Sequence, residues 1–110
     1  MFYYYNSFIY NYLDNKISFK EVVDLPNSIS SGWGITNSDT ELIISDGTSK
    51  IYFVDPDNLE VRRSVVVTFE KLRQRDKLNE LEFIKGKIYA NIWYENNIVV
   101  IDPASGDITK

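Results

Sequence analysis

The feature that most constrains this chain is an internal repeat built around an Asp-Pro turn. Two segments, KIYFVDPDNLEV and NIVVIDPASGDI, each place an aliphatic strand before Asp-Pro, then a turn, then a second strand. Asp55 and Asp102 stand 47 residues apart, and a weaker copy, YNYLDNKISF, places Asp14 41 residues before Asp55. A period in the forties with about four short strands per unit is typical of β-propeller blades. The repeat therefore predicts an all-β chain of four-stranded antiparallel sheets, with a β-sandwich as the alternative.

Turn-forming residues divide the chain into short strands. SFIYNYL and ISFKEVVDL flank the triplet Asp14–Lys16 and are predicted to form a hairpin. ELIIS and KIYFVD flank a turn that begins with Asp46-Gly47, and Asp-Gly is a strong hairpin signal. ELEFI and KIYANIW are separated by Lys85-Gly86, which predicts another hairpin.

The repeat also suggests where the blades begin and end. We assign residues 1–26 to the end of one blade, residues 27–68 to a second blade and residues 78–110 to a third. The connection Phe69–Lys77 interrupts the β pattern, because it combines two apolar residues with strong helix formers. It is predicted to be the only helical segment.

Composition excludes several classes of function. The 110 residues include no histidine and no cysteine, which rules out Ser-His-Asp and Cys-His catalysis and argues against a zinc site. The net charge is −4, and the basic run Lys71–Lys77 is interrupted by Asp76 and contains no aromatic residue for stacking. No apolar run approaches the roughly 20 residues of a membrane span. We expect no metal, no cofactor, no nucleic-acid partner and no membrane partner.

The start of the chain bears on localisation. MFYYYNSFIY is apolar, but it has neither the basic first region nor the small-residue cleavage site of a signal peptide. It is predicted to be a strand, and the sequence leaves the compartment open.

Two carboxylates stand in the predicted hairpin LNELEFIKGKIYANIW. Glu80 and Glu82 are unusual there, because acidic residues are poor strand formers and are costly to desolvate. In a regular strand both side chains share the face opposite Asn79. We interpret them as hydrogen-bond acceptors between blades, satisfied by donors such as those around SDGTS. A general acid or base role for either residue is the alternative.

Three motifs in the same order give a resemblance to a known family. GWGITNSDTELIISDGTSKIYFVDP, LNELEFIKGKIYANIW and IVVIDPASG resemble the glutamine cyclotransferase family of plants and bacteria, which are five-bladed β-propellers. The resemblance is close from Gly32 to Gly106 and looser over Ser7–Pro26. It implies an enzyme that converts the N-terminal glutamine of peptides to pyroglutamate with release of ammonia. It also implies a zinc-independent reaction, unlike that of the animal-type cyclases.

The resemblance assigns site residues at one end of the propeller channel. The Trp of GWG, the Asn of LNELE and the Trp of ANIW correspond to Trp33, Asn79 and Trp93. The tryptophans would bind substrate, and Asn79 would be catalytic, donating to the oxyanion or accepting from the amine. Glu80 and Glu82 are weaker candidates. Without the resemblance, both tryptophans would be interpreted as core residues and Asn79 as a residue with local backbone bonds. Asp46 is interpreted as a turn former.

The chain also departs from the family. It resembles only about two and a half of the five blades. The family's acid/base glutamate lies in the first blade and its site lysine in a late blade, and neither has a counterpart here. We therefore expect little activity from the isolated chain, and expect self-association or blades supplied by another chain. The alternative function is a non-catalytic propeller fragment that binds peptides or proteins.

Overall fold

The described part of the chain is built from short strands. The computed structural model describes the backbone of residues 4–11, 16–29 and 31–110, with side chains from Asp24 onward. Asp14, in the first copy of the repeat, lies outside the described residues. Within the described ranges there is no helix, and so none that could cross a membrane. The strands are β1 (Tyr4–Asn11), β2 (Lys16–Asp24), β3 (Gly34–Asn37), β4 (Leu42–Ser45), β5 (Lys50–Val54), β6 (Val61–Val66), β7 (Thr68–Phe69), β8 (Arg73–Gln74), β9 (Leu78–Ile84), β10 (Lys87–Ile92) and β11 (Ile98–Ile101).

The strands form antiparallel sheets, as the sequence predicts. β1 pairs with β2 as a hairpin, and β3 to β6 form a four-stranded sheet in chain order. β9, β10 and β11 form a three-stranded sheet, again in chain order. The predicted Asp46-Gly47 and Lys85-Gly86 turns connect β4 to β5 and β9 to β10. Consecutive antiparallel pairing follows from these tight turns, because a short turn returns the chain beside the strand that it has just left.

The two described Asp-Pro turns, at Asp55 and Asp102, have the same hydrogen bonds. In each turn the aspartate Oδ1 accepts the backbone N–H two residues further on, at 2.8 Å in both cases. The aspartate N–H donates to the carbonyl five residues further on, at 2.9 Å in both. Val54, which precedes Asp55, then pairs with Val61, and Ile101, which precedes Asp102, pairs with Ile108. The sequence repeat is therefore a structural repeat, and residues 107–110 begin to pair with β11 as β6 pairs with β5.

Acid is expected to weaken the fold through these two turns. The pKa of Asp55 is lowered by the N–H groups of its own turn and then by Arg62, and that of Asp102 by its turn and then by Lys87. Because the folded pKa lies below the unfolded pKa, this stabilisation is complete above the unfolded pKa. It is lost as pH falls through the folded pKa, which places the loss below about pH 4.

A double variant isolates this contribution. Asp55→Asn with Asp102→Asn keeps an Oδ1 acceptor in each turn but removes the titration. Melting temperature measured from pH 6 to pH 2.5 should fall less steeply below pH 4 in the variant than in the unsubstituted chain. Parallel curves for the two proteins would show that these carboxylates do not carry the acid sensitivity.

The main core lies between the two larger sheets. One face of the β3–β6 sheet packs against one face of the β9–β11 sheet, so that apolar side chains from both are removed from water. The other face of the β3–β6 sheet packs on Leu25 and Ile29, which precede β3. The buried residues between the sheets are Ile43, Ile51, Phe53, Val67, Leu78, Leu81, Ile88, Ala90, Ile92 and Ile101.

The predicted helix at Phe69–Lys77 is wrong. The segment is a small hairpin in which β7 pairs with β8. Leu72 at its tip is 86% exposed, so the segment has no apolar face that a helix could bury, and an isolated helix of this length is unstable in water. The hairpin is instead held at its base, where Arg75 N–H donates to the carbonyl of buried Val67 at 2.9 Å.

Candidate active site

Trp33 is positioned by the turn that connects β4 to β5. It lies immediately before β3, and its N–H donates to the Ser45 carbonyl at the end of β4 at 3.0 Å. Its half-buried ring lies over Gly47, where a Cβ would come within 2.3 Å of the Trp33 Cε2 atom. Gly47 also has a φ of +83°, which disfavours other residues. The Asp46-Gly47 turn is therefore both a hairpin turn and the support of the Trp33 ring.

Trp93 reaches the same end of the molecule from the neighbouring sheet. It follows β10, and its N–H donates to the Lys77 carbonyl at 2.9 Å. Lys77 N–H donates in turn to the Gly47 carbonyl at 2.9 Å, which ties the two sheets together beneath the tryptophans. The Trp33 and Trp93 ring centroids are 5.9 Å apart, with an edge-to-face angle of 75°. Two residues separated by 60 positions in sequence therefore meet, as the resemblance implied.

Asn79 is anchored beside Trp33 by its backbone. Its carbonyl accepts the Ser45 hydroxyl at 2.6 Å. The same carbonyl lies against Gly34, the residue after Trp33, so closely that a Cβ there would be 2.0 Å from the carbonyl oxygen. The partly exposed Asn79 amide forms no hydrogen bond with the described part of the chain. The Asn79 backbone is therefore fixed next to Trp33 at this end.

A β-bulge decides where the two glutamates of LNELE lie. Leu78 pairs with Ile92 and Leu81 with Ala90, so that Asn79 and Glu80 together face the single residue Asn91. Glu80 N–H donates to the Asn91 Oδ1 atom at 2.8 Å instead of to a strand carbonyl. The extra residue interrupts the alternation of buried and exposed side chains along β9. As a result, Leu78 and Leu81 are both buried although they are three positions apart.

The expected hydrogen bonds of Glu80 and Glu82 with donors around SDGTS are wrong, and a contact of these residues with a following blade stays a prediction. Both residues are exposed, and they line an open cavity of about 420 Å³ on the face of the β9–β11 sheet that points away from the β3–β6 sheet. They are therefore not desolvated and do not bond to the segment SDGTS. Backbone groups of Lys77 and Asn79 contact that segment instead, through Gly47 and Ser45.

Asp46 is a turn former, as interpreted from the sequence, and it is also buried. Its Oδ1 accepts the Thr48 N–H at 3.1 Å and the Thr48 hydroxyl. Burial raises the pKa of the Tyr52 hydroxyl, and the Asp46 charge and a hydrogen bond to Asp46 raise it further. The Tyr52 contact was not found from the sequence, although a Tyr on the strand after an Asp-Gly turn could have suggested it.

Tyr94 is a second residue that the sequence reasoning missed. It follows Trp93, and its ring meets the Trp93 ring edge to face with centroids 5.1 Å apart. The adjacent aromatic pair Trp93-Tyr94 was the available signal. The described residues contain no group of three or more acidic, cysteine or histidine side chains arranged to hold a metal ion. The site is thus an aromatic cluster with the Asn79 backbone anchored next to it.

Comparison with known proteins gives consistent matches. The sequence profile of the glutamine cyclotransferase family matches residues 4–110. A glutaminyl-peptide cyclotransferase of Arabidopsis thaliana is 33% identical over 88 residues, which is 80% of this chain and 27% of that protein. The crystal structure of Myxococcus xanthus glutaminyl cyclase matches with a TM-score of 0.77 and 30% identity, over 84% of this chain and 38% of that one. The chain thus spans well under half the length of either relative.

The structural match also settles the fold class. Glutaminyl cyclase of Myxococcus xanthus has a β-propeller fold, and the likeness covers most of the present chain. The sheets described above are therefore propeller blades, as the repeat predicted, and the sandwich alternative is excluded.

Proposed function

The chain belongs to the glutamine cyclotransferase family, and we propose that it supplies one part of a site that cyclises the N-terminal glutamine of peptides to pyroglutamate. The observation that carries the proposal is the convergence of Trp33, Asn79 and Trp93 at one end of two adjacent sheets. Two aromatic rings, with the Asn79 amide turned towards them as we propose, suit a short side chain that carries an amide of its own.

The reaction explains why such a site would help. The α-amine nitrogen attacks the γ-amide carbon of the same residue, forming a ring C–N bond, and the carbon's bond to the amide nitrogen then breaks. One proton leaves the α-amine and one joins the departing nitrogen, which is released as ammonia. Holding the side chain folded back on its own amine removes much of the entropic barrier. Trp33 and Trp93 would hold that shape, and the Asn79 amide would donate to the oxyanion.

Proton transfer needs another group, because neither indole nor amide side chains titrate near neutral pH. Glu80 and Glu82 are weak candidates for that group, since they line the outward face of the β9–β11 sheet and not the tryptophan cluster. We propose that the acid/base group is supplied by blades outside these 110 residues. The boundaries 1–26, 27–68 and 78–110 remain our proposed division of the present chain into blades.

A chimera tests the proposal by supplying those blades. This chain would replace the matching segment of the Myxococcus xanthus enzyme, which is 38% of that protein. We expect ammonia release from a peptide with N-terminal glutamine, and none from the same peptide with N-terminal asparagine, which cannot close the same ring. A folded chimera without ammonia release would contradict the proposal.

The same assay, repeated after treatment with a chelator, tests whether the reaction requires a metal ion. The sequence has neither imidazole nor thiolate, which are the usual zinc ligands, so we propose a zinc-independent reaction. Ammonia release should continue at the same rate after dialysis against a chelator. If activity is lost and added zinc restores it, the proposed zinc independence is contradicted.

The outward face of the β9–β11 sheet supports a proposal about assembly. By the 47-residue repeat, Ile98 and Val100 correspond to Ile51 and Phe53 of the β3–β6 sheet, which are buried against the neighbouring blade. Ile98 is 68% exposed instead. Apolar strand faces that stay open favour association. We propose that a second copy covers this face when the 110-residue chain is alone.

Sedimentation equilibrium should therefore show self-association at micromolar concentration. Ile98→Lys places a charge on this face and should shift the population to monomer, whereas Lys50→Ala, on a different sheet, should leave it unchanged. A monodisperse monomer with a sharp melting transition in the unsubstituted chain would count against the assembly.

A further inference from the structure

Tyr94 occupies a backbone conformation that the turn does not favour for tyrosine. Its φ is +67°, and the Glu95 N–H donates to the Ile92 carbonyl at 3.0 Å, which makes Tyr94 the third residue of a β-turn. That position with positive φ is normally held by glycine or asparagine. The Tyr94 side chain is nevertheless 89% exposed, so burial does not compensate for the backbone conformation. Residues held in such conformations cluster at functional sites.

The position of Tyr94 beside the tryptophans suggests what its function is. Exposure increases along the aromatic row, from half-buried Trp33 through Trp93, at 43%, to Tyr94. The rings contact edge to face at both steps. The residue after Tyr94 is fixed by the ion pair between Glu95 and Arg75, which holds this turn against the β7–β8 hairpin. Tyr94 is therefore an ordered ring on the solvent side of the cluster.

We propose that Tyr94 binds the side chain of the second residue of the substrate peptide and makes the site prefer large apolar or aromatic residues there. The inference rests on the proposed function. If the first residue packs against the contacting Trp33–Trp93 pair, the rest of the peptide must leave towards solvent, and Tyr94 stands at that exit. An exposed tyrosine ring provides a rigid apolar surface, and aromatic pairs prefer the edge-to-face contacts already present in the row.

Intrinsic fluorescence of the 110-residue chain provides the test, because its only two tryptophans are Trp33 and Trp93. The chain is titrated with Gln-Gly-amide, Gln-Phe-amide and Ala-Phe-amide, with excitation at a wavelength that phenylalanine does not absorb. Three proteins are compared: the unsubstituted chain, Tyr94→Asn and Lys85→Asn. Lys85 is the matched control, because it has a φ of +48° in the turn at the opposite end of the β9–β10 hairpin.

The proposal predicts a difference between the two glutaminyl peptides. The unsubstituted chain and Lys85→Asn should bind Gln-Phe-amide roughly threefold to tenfold more tightly than Gln-Gly-amide, the range expected for one aromatic contact. Tyr94→Asn should lose that preference and keep its affinity for Gln-Gly-amide. Its melting temperature should be equal or higher, because asparagine suits the turn.

The outcomes separate this inference from the proposed function. If Gln-Gly-amide and Gln-Phe-amide bind equally to the unsubstituted chain, or if Tyr94→Asn retains the preference, the role of Tyr94 is overturned and the glutamine site stands. If neither glutaminyl peptide binds, or if Ala-Phe-amide binds as well as Gln-Phe-amide, the glutamine site itself is refuted and the inference is lost with it.

Discussion

Replacing Asn79 with alanine is expected to lower the rate of ammonia release by the chimera by on the order of 100-fold, the usual effect of removing one oxyanion donor. The fold should barely change, because the structural contacts of Asn79 come from its backbone. Its carbonyl accepts the Ser45 hydroxyl and packs on Gly34, and alanine retains that carbonyl. Turnover at saturating peptide and melting temperature, measured on the same preparation, separate an effect on catalysis from an effect on the fold.

Asn91→Ala is the matched control for this prediction. The Asn91 side chain accepts the Glu80 N–H across the bulge, so its removal leaves a backbone donor without its partner. We expect a loss of stability of about 1–3 kcal/mol with turnover within a few-fold of the unsubstituted chimera. If Asn79→Ala leaves turnover unchanged, or lowers it only in proportion to lost stability, Asn79 is a structural residue.

Replacing Gly34 with alanine is expected to have the largest effect on stability. The new Cβ would stand 2.0 Å from the Asn79 carbonyl oxygen and 2.9 Å from the Glu80 Cα atom. Both neighbours are backbone, so β9 must move away from β3, and the Ser45–Asn79 hydrogen bond would be lost with it. We expect about 3 kcal/mol of destabilisation, which lowers the melting temperature by roughly 10–20 °C.

Gly86→Ala separates packing from backbone conformation. Gly86 has a φ of +79°, but a Cβ there would meet nothing within 4 Å. Its replacement should cost about 1 kcal/mol through the left-handed conformation alone. Melting followed by circular dichroism compares the two variants. Equal losses would mean that the close approach of β3 and β9 does not limit stability.

Local turn chemistry made much of the fold predictable. Asp46-Gly47 and Lys85-Gly86 specify hairpins through residues that tolerate positive φ, and the strands on either side follow. The Asp-Pro repeat gave the spacing of the sheets, since the same side-chain acceptor forms the same turn in both places. These features depend on residues close together in sequence, which is why the sequence alone reveals them.

The errors arose where distant contacts override local preference. The helix formers of Phe69–Lys77 form a hairpin, because Val67 at its base is buried and the tip has nothing to pack against. Glu80 and Glu82 were expected to contact SDGTS, whereas backbone groups of Lys77 and Asn79 do so, and the bulge opposite Asn91 cannot be seen from alternation within one strand. Both errors concern contacts that depend on a second sheet or strand.

The site was predictable only through the resemblance. Trp33 and Trp93 would otherwise be assigned to the core, since most tryptophans in sheets are buried. Their contact depends on two backbone hydrogen bonds, from Lys77 to Gly47 and from Trp93 to Lys77, and no sequence pattern predicts these bonds. Tyr94 was missed for the same reason, because its importance lies in a strained turn beside Trp93.

A crystal structure of the chimera with a bound pyroglutamyl peptide, the reaction product, would locate the site. We predict that the lactam ring packs against the Trp33–Trp93 pair, with its carbonyl oxygen within hydrogen-bond distance of the Asn79 amide. The peptide chain would leave past Tyr94. A product bound on the face that carries Glu80 and Glu82, or at the opposite end of the strands, would contradict the assignment of the site.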